Sequence, residues 1–303
     1  WGTSATNVWA VGASGTILRW NGTAWSSVAS GTTATLRAVH GSGANDIWAV
    51  GDEGVRWDGS TWSTVTTPGA LTTVWVSSAT AVWSFLAGAP IRWNGTSWEQ
   101  MWTGTTSYPL AVWGRSPTEV WAVGRDGILR RWGGSNWSTV SGPSTFTLRA
   151  VSGFGAIPWA VGEGGEILRW SGTEWVELTQ DPVLLRTGGL VSLGGVWGTS
   201  ATNVWAVGTA GRIRRWDGAS WSVVASPAPG TSLNDIWGTS ASDIWAVGAS
   251  GVTIRWNGTA WATVPSGTSS ALNAGSGSSS SDVWAVGNAG TIIRWNGSAW
   301  AAT

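Results

Sequence analysis

The sequence predicts an all-β chain, an eight-bladed β-propeller of four-stranded antiparallel blades, and three observations predict it. A Val/Ile-Trp-Ala-Val-Gly segment, degenerate at Trp83 and Trp159, recurs at intervals of 35 to 46 residues. Each copy is followed by Arg-Trp, a turn residue, Gly, two small or polar residues and a closing Trp. No segment carries a helical apolar period, whereas short β-branched and aromatic runs bounded by Gly, Asn and Asp fill the chain. Units of about 40 residues with four strands apiece have the size of propeller blades.

The first strand of a unit, strand A, reads Leu-x-x-Val/Ile-Trp, as in Leu71–Trp75 and Leu233–Trp237. Strand B carries the recurrent Trp: Trp9, Trp48, Trp83, Trp121, Trp159, Trp205, Trp245 and Trp284. Strand C is Ile-Leu-Arg-Trp, as in Ile17–Trp20, and strand D starts at the closing Trp, as in Trp25–Val28. Asn-Gly or Asp-Gly between C and D is a tight-hairpin signal, and Gly-x-x-Gly between B and C (Gly12–Gly15, Gly248–Gly251) supplies positive φ. The repeat boundaries read 1–33, 34–69, 70–106, 107–145, 146–190, 191–231, 232–270 and 271–303.

The second copy is two residues shorter between its B and C tryptophans, which keeps side chains on the same face of a strand but would rotate a helix. The third is shorter by one, which demands a bulge or a changed turn. No Leu-x-x-Val run precedes Trp1, so seven A strands are legible for eight B–C–D sets. The expectation is an eighth strand from residues outside this chain, hence a longer natural polypeptide, or else seven blades with an irregular seam.

Sixteen basic and sixteen acidic residues cancel, and every base is Arg. A neutral chain lacks the electrostatic footprint of a nucleic-acid binder, and no apolar run reaches the roughly 20 residues of a membrane span. With no Cys and one His, His40, neither a thiolate site nor a clustered metal site is legible. One Tyr, Tyr108, one His and no Gly-x-Ser-x-Gly elbow leave no catalytic constellation, and no phosphate or dinucleotide motif precedes a helix. The expectation is a binding protein without cofactor or metal, not an enzyme.

Thirty Trp dominate the apolar content. Each buries about 150–250 Å², so the B, C and D tryptophans read as the wedge between blades, with each C-strand Arg laid on an indole. The end of strand A varies instead: Trp1, His40, Trp75, Trp113, Ser152, Trp197, Trp237 and Ser276. Such a position is expected to fringe one channel mouth, where His40, Trp75, Trp113, Trp197 and Trp237 are candidates for stacking on sugar faces or on a partner's apolar surface. The other mouth carries blade-specific hairpin tips, with Asp52, Glu53, Arg125, Asp126 and Glu163 as secondary candidates. Further charge gathers at Arg115, Arg130 and Arg131, at Glu166, Glu174 and Glu177, and on the long connection Thr179–Ser192 with Asp181 and Arg186.

The residues Ala10-Val11-Gly12, Gly15, Ile17, Gly22 and Trp25, with seven partial echoes, resemble the repeat of bacterial neuraminidase-repeat (Asp-box) propellers. The likeness is greatest to the photosystem II assembly-factor-like branch and spans the chain. The Asp that names the box, two residues before the Gly, is here Trp20 and its equivalents, and the sialidase Arg cluster has no match, which argues against hydrolysis. Assembly-factor members bind proteins, so the resemblance implies a scaffold. The residues themselves put first a multivalent, lectin-like carbohydrate-binding propeller, and second a protein-interaction scaffold or module of a larger assembly. The partner is therefore a glycan or a protein, without nucleic acid or membrane insertion. A Ser/Thr/Gly-rich surface of low charge sets the further expectation of a secreted or cell-surface bacterial product.

Overall fold

In the computed structural model, residues 1–4, 6–101, 109–154, 157–178 and 192–302 are described. They form eight four-stranded antiparallel sheets, each in the order A-B-C-D, and the fold is an eight-bladed β-propeller. Among the described residues there is no α-helix; four single 3-10 turns are the only helical elements. Tyr108, Asp181 and Arg186, with nearly all of the 179–192 connection, lie outside the described residues.

By packing, the chain divides into two compact units, Trp1–Ala122 with Arg130–Thr139, and Val123–Leu129 with Val140–Thr303. In the first unit, Trp9 of blade 1 packs with Leu36, Ile47, Trp57 and Trp62 of blade 2. Trp48 likewise meets Leu71, Val82 and Trp93 of blade 3, and Trp83 meets Val120, Trp132 and Trp137 of blade 4. In the second unit the rule repeats for Trp159, Trp205 and Trp245 against blades 6, 7 and 8. Each of these six B-strand Trp thus inserts between the C- and D-strand Trp of the next blade. For Trp205 the ring centroids lie 4.8 Å from Trp256 and 5.5 Å from Trp261, the latter edge-on at 80°.

Strand register explains the arginines. In blade after blade the B-strand Trp stands directly opposite the C-strand Arg, as in Trp48↔Arg56, Trp83↔Arg92 and Trp245↔Arg255. Directly paired residues share a face, so the guanidinium is delivered over the ring. Cation–π distances of 5.1 to 5.6 Å recur in all eight blades, from Arg19 over Trp9 to Arg294 over Trp284.

Two irregularities resolve physically. The one-residue deletion in blade 3 is taken up in the turn: the B–C ladder runs unbroken to Leu86↔Ala89, closed by Ala87 at φ 46° and Gly88 at φ 87°. Two consecutive positive φ angles make the twist of a tight two-residue hairpin. The expectation that strand A of blade 1 must come from outside the chain is corrected, and the seven-blade alternative falls with it. Gly2–Ser4 pairs with strand B, and Trp1 and Trp9 exchange backbone hydrogen bonds of 2.7 and 3.1 Å. That strand is three residues long where its counterparts in blades 2 and 6, Leu36–Gly43 and Leu193–Ser200, have eight.

A twelve-residue sequence, Trp1–Gly12, recurs identically as Trp197–Gly208. In blade 6, Val207 pairs with Gly195 of strand A and is fully buried. In blade 1 the A–B pairing ends at Trp1–Trp9, and Val11 is half-buried. The leucine opening the next blade packs with this valine, as Leu233 does with Val207 and Leu272 with Val247, and Val11 likewise packs on the cluster that holds Leu36. Val286 in blade 8 is 37% exposed.

Candidate functional site

The inner-strand residues singled out from the sequence lie where strand A of one blade meets strand A of the next. None of them is an open platform. Trp237 is buried, and Trp75, Trp113 and Trp197 are half-buried. The Trp197 ring lies on Gly238 of the following blade, so closely that a β-carbon there would come within 2.6 Å of it. Trp75 rests in the same way on Gly114, Trp237 on Gly275 and Trp1 on Gly41. Glycine is needed here for want of a side chain, because the indole occupies the volume a β-carbon would take.

His40 takes the Trp position in blade 2 and does something different. Its Nδ1 accepts the backbone N–H of Val76 in blade 3 at 3.1 Å, while its ring sits 5.9 Å from that of Trp1. Burial, reinforced by the Trp1 ammonium, depresses the imidazole to about 4, so it is neutral at physiological pH. Asp235 is the acidic counterpart, two residues before Trp237. Its carboxylate accepts N–H bonds from Gly275 of blade 8 and Ile236, both at 2.9 Å, yet burial outweighs them and lifts its pKa to about 6. Asn234 adds a bond to the Leu272 carbonyl at 2.8 Å. The legible signal for Asp235 was its departure from the repeat, since Ala or Gly occupies most equivalent positions.

At the opposite ends of the blades, the B–C tips of blades 2, 5, 6, 7 and 8 are each held by the connection that precedes their own blade. Asp52 ion-pairs with Arg37 at 2.7 Å, and its N–H donates to the Thr35 carbonyl; Glu53 accepts the Thr32 hydroxyl at 2.5 Å. Glu163 repeats the arrangement with Arg149 at 2.5 Å and the Thr147 carbonyl. Arg125 and Asp126 are exposed and form a one-turn bend with Asp126 at φ 55°. Asp52, Glu53 and Glu163 are therefore already engaged inside the chain.

Around the tips are shallow clefts rimmed by hydroxyls. One of about 660 Å³ lies between Ser14 and Thr32 in the blade 1 to 2 connection, and one of about 450 Å³ between Ser250 and Thr268 in blade 7. Blade 5 differs: Phe146, 51% exposed, covers Gly164 beside the Arg149–Glu163 pair. Beneath it the Ser144 hydroxyl donates to Glu166, a carboxyl whose pKa is raised chiefly by burial and further by Glu177.

Sequence reading also missed a polar cassette on the blade end that carries the A–B turns. The residue two before the B-strand Trp is Asp46, Asp243 and Asp282 in blades 2, 7 and 8, and each binds the C-strand arginine. Arg56, Arg255 and Arg294 donate from Nε at 3.1, 2.7 and 2.9 Å. The other carboxylate oxygen accepts a hydroxyl four residues earlier, Ser42, Thr239 or Ser278. Glu119 takes this place in blade 4, bound by Arg115 at 3.0 Å, and Asn7 in blade 1, which Arg19 reaches at 3.1 Å. The legible signal was Asn, Asp or Glu at this position in six of the eight copies.

Among the described residues no three His, Cys, Asp or Glu converge as a metal site. Fold and site together define a β-propeller whose polar and aromatic side chains mostly knit blade to blade. No protein-family model matches the sequence, and no curated protein does. Solved structures do. YCF48 bound to D1 peptide superposes with a TM-score of 0.64 at 17% identity, covering 86% of this chain and 92% of that one. YCF48 from Cyanidioschyzon merolae gives 0.64 at 18%, covering 86% and 95%. The C-terminal WD40 domain of Sif2 gives 0.72 at 12%, covering 95% and 92%. At these identities the likeness is one of fold.

Proposed function

We propose that the chain is a non-enzymatic protein-interaction scaffold. The observation that carries this reading is the inner-strand aromatics. Trp75, Trp197 and Trp237 spend a face on a neighbouring glycine, and His40 spends its acceptor on Val76. Stacking on a sugar needs a free face, so the geometry favours the second expectation over the lectin-like one. Further support comes from the fold neighbours, one of which is a propeller with a bound peptide. Blade-specific surface such as Phe146 on blade 5 is what a partner could tell apart in an otherwise repetitive molecule. The kinship with Asp-box propellers rests on the repeat pattern alone.

The test is crosslinking of the purified chain in extract of its native host, with a Phe146→Ser variant in parallel. The scaffold reading expects one dominant protein partner, lost or weakened roughly tenfold in the variant. Saturable binding on a glycan array with quenching of Trp fluorescence, and no protein captured, would reverse the choice.

A further inference from the structure

The polar position of the cassette is apolar in two blades. Where Asp46, Asp243 and Asp282 stand in blades 2, 7 and 8, blade 3 has Ala81 and blade 5 has Ile157. The arginines remain in place. The Arg92 guanidinium sits 5.5 Å from the Trp83 centroid and 5.8 Å from that of Trp132, and Arg169 sits 5.6 Å from Trp159. In both, Nε is buried and has no hydrogen-bond partner among the described residues. The same is true of Arg215 in blade 6, whose Asn203 gives its Oδ1 to the Trp205 indole; only in blades 3 and 5 is the polar residue itself missing. In blade 3 even the hydroxyl that would serve the carboxylate is diverted, since Ser77 donates to the Ala81 carbonyl at 3.0 Å. A guanidinium cannot shed its proton, so these two N–H groups stay charged and unmatched.

From this we infer that Arg92 and Arg169 are seats for a carboxylate brought from outside the chain, the Asp or Glu side chain of a protein partner. The sibling blades show the ligand and its pose: one carboxylate oxygen on Nε, the guanidinium plane held by an indole. Arg92 and Arg169 are only half-buried, so an incoming acid meets the outer edge of the guanidinium first and reaches the buried Nε by displacing the packing over it. The two seats differ in their cross-strand neighbour. Arg92 stands opposite Glu99, whose Oε1 is held by Asn94 at 2.5 Å, and that negative charge opposes an incoming acid. Arg169 stands opposite Val176, which is 38% exposed and apolar. The stronger seat is therefore Arg169, and it suits an acidic residue flanked by an aliphatic one. The choice of a protein carboxylate over an inorganic anion rests on the scaffold reading; the seat itself does not.

The experiment follows Nε–Hε signals of the full chain labelled with ¹⁵N-arginine, titrated with acetate, with sulfate and with a blocked Glu-Leu dipeptide. Arg→Lys variants at each site assign the signals. The expected result is saturable movement of Arg92 and Arg169 while Arg56, Arg255 and Arg294 stay still, with the dipeptide roughly fivefold tighter at Arg169 than at Arg92. Ala81→Asp supplies the missing acid from within and should silence Arg92 while leaving Arg169 responsive; Ile157→Asp does the converse and stands in if the first variant does not fold. Equal movement of all five signals, no movement, or retention of the Arg92 response in Ala81→Asp would overturn the seats. Sulfate binding as tightly as the carboxylates would overturn the assignment of a protein acid. Seats that respond while crosslinking finds no partner would leave this inference standing and remove the scaffold reading.

Discussion

His40 and Asp235 occupy neighbouring layers of their inner strands and titrate in opposite senses. The native imidazole is depressed from 6.5 to about 4, so on acidification the unfolded chain gains a proton that the native state refuses, and stability falls. The native Asp235 carboxyl is raised from 3.8 to about 6, so across that window the native state gains the proton first, and stability rises on acidification. Buried Glu166 acts in the same sense as Asp235. Relative to wild type, His40→Asn should gain stability, and Asp235→Asn lose it, between pH 6.5 and pH 4. Each change should be on the order of 2 kcal/mol, read as denaturant midpoints across pH. Packing sets a larger scale. Trp205 is fully buried against two other indoles and a guanidinium, and Trp205→Ala should cost about 3–5 kcal/mol in guanidinium denaturation. That the B, C and D tryptophans are core was legible, because they recur in every repeat. Whether an inner-strand indole faces water was not, because the answer sits in another repeat: Trp197 is covered by Gly238, forty-odd positions on.

Among elements, the B–C tips carry an avoidable cost. Ser14, Asp126, Ala210, Ser250 and Ala289 all adopt φ between 54 and 57°, a left-handed conformation in which a β-carbon is crowded. Blade 5 uses Gly164 at the same point. Ala210→Gly should therefore stabilise the protein by about 0.5–1 kcal/mol despite the added freedom of the unfolded chain, measured by thermal or chemical unfolding. An unchanged or lowered midpoint would remove the argument from strain. The hairpins, their glycines and the C and D strands were legible in the sequence, since each is local chemistry. The Asp–Arg cassette was not, although its residues are in plain view, because Asp243 and Arg255 meet only once strand register places Trp245 opposite Arg255. Asp243→Ala leaves that guanidinium without its acid and should cost about 1–3 kcal/mol, more than the same change at exposed Asp52.

For the molecule as a whole, sixteen charges of each sign and an isoelectric point near 6.8 remove long-range repulsion between copies at neutral pH. With no Lys or Cys and a single His and Tyr, almost nothing titrates between about pH 6 and pH 10. Solubility should therefore stay low and flat across that range and rise only on acidification as carboxylates protonate, measured as the polyethylene glycol concentration that precipitates half the protein. Solubility that fails to rise on acidification would show that surface hydroxyls, rather than net charge, govern it. The chain also holds an experiment within itself. Residues 7–12 and 203–208 are one sequence in two settings, the first with the inner side of its strand partly bare and the second closed over. Intrinsic amide exchange chemistry is the same for both, so any difference in deuterium uptake between Val11 and Val207 reports tertiary protection alone. Digestion that yields the shared hexapeptide would blend the two signals into one mass, and only fragments running on into Ala13 or Thr209 would keep them apart.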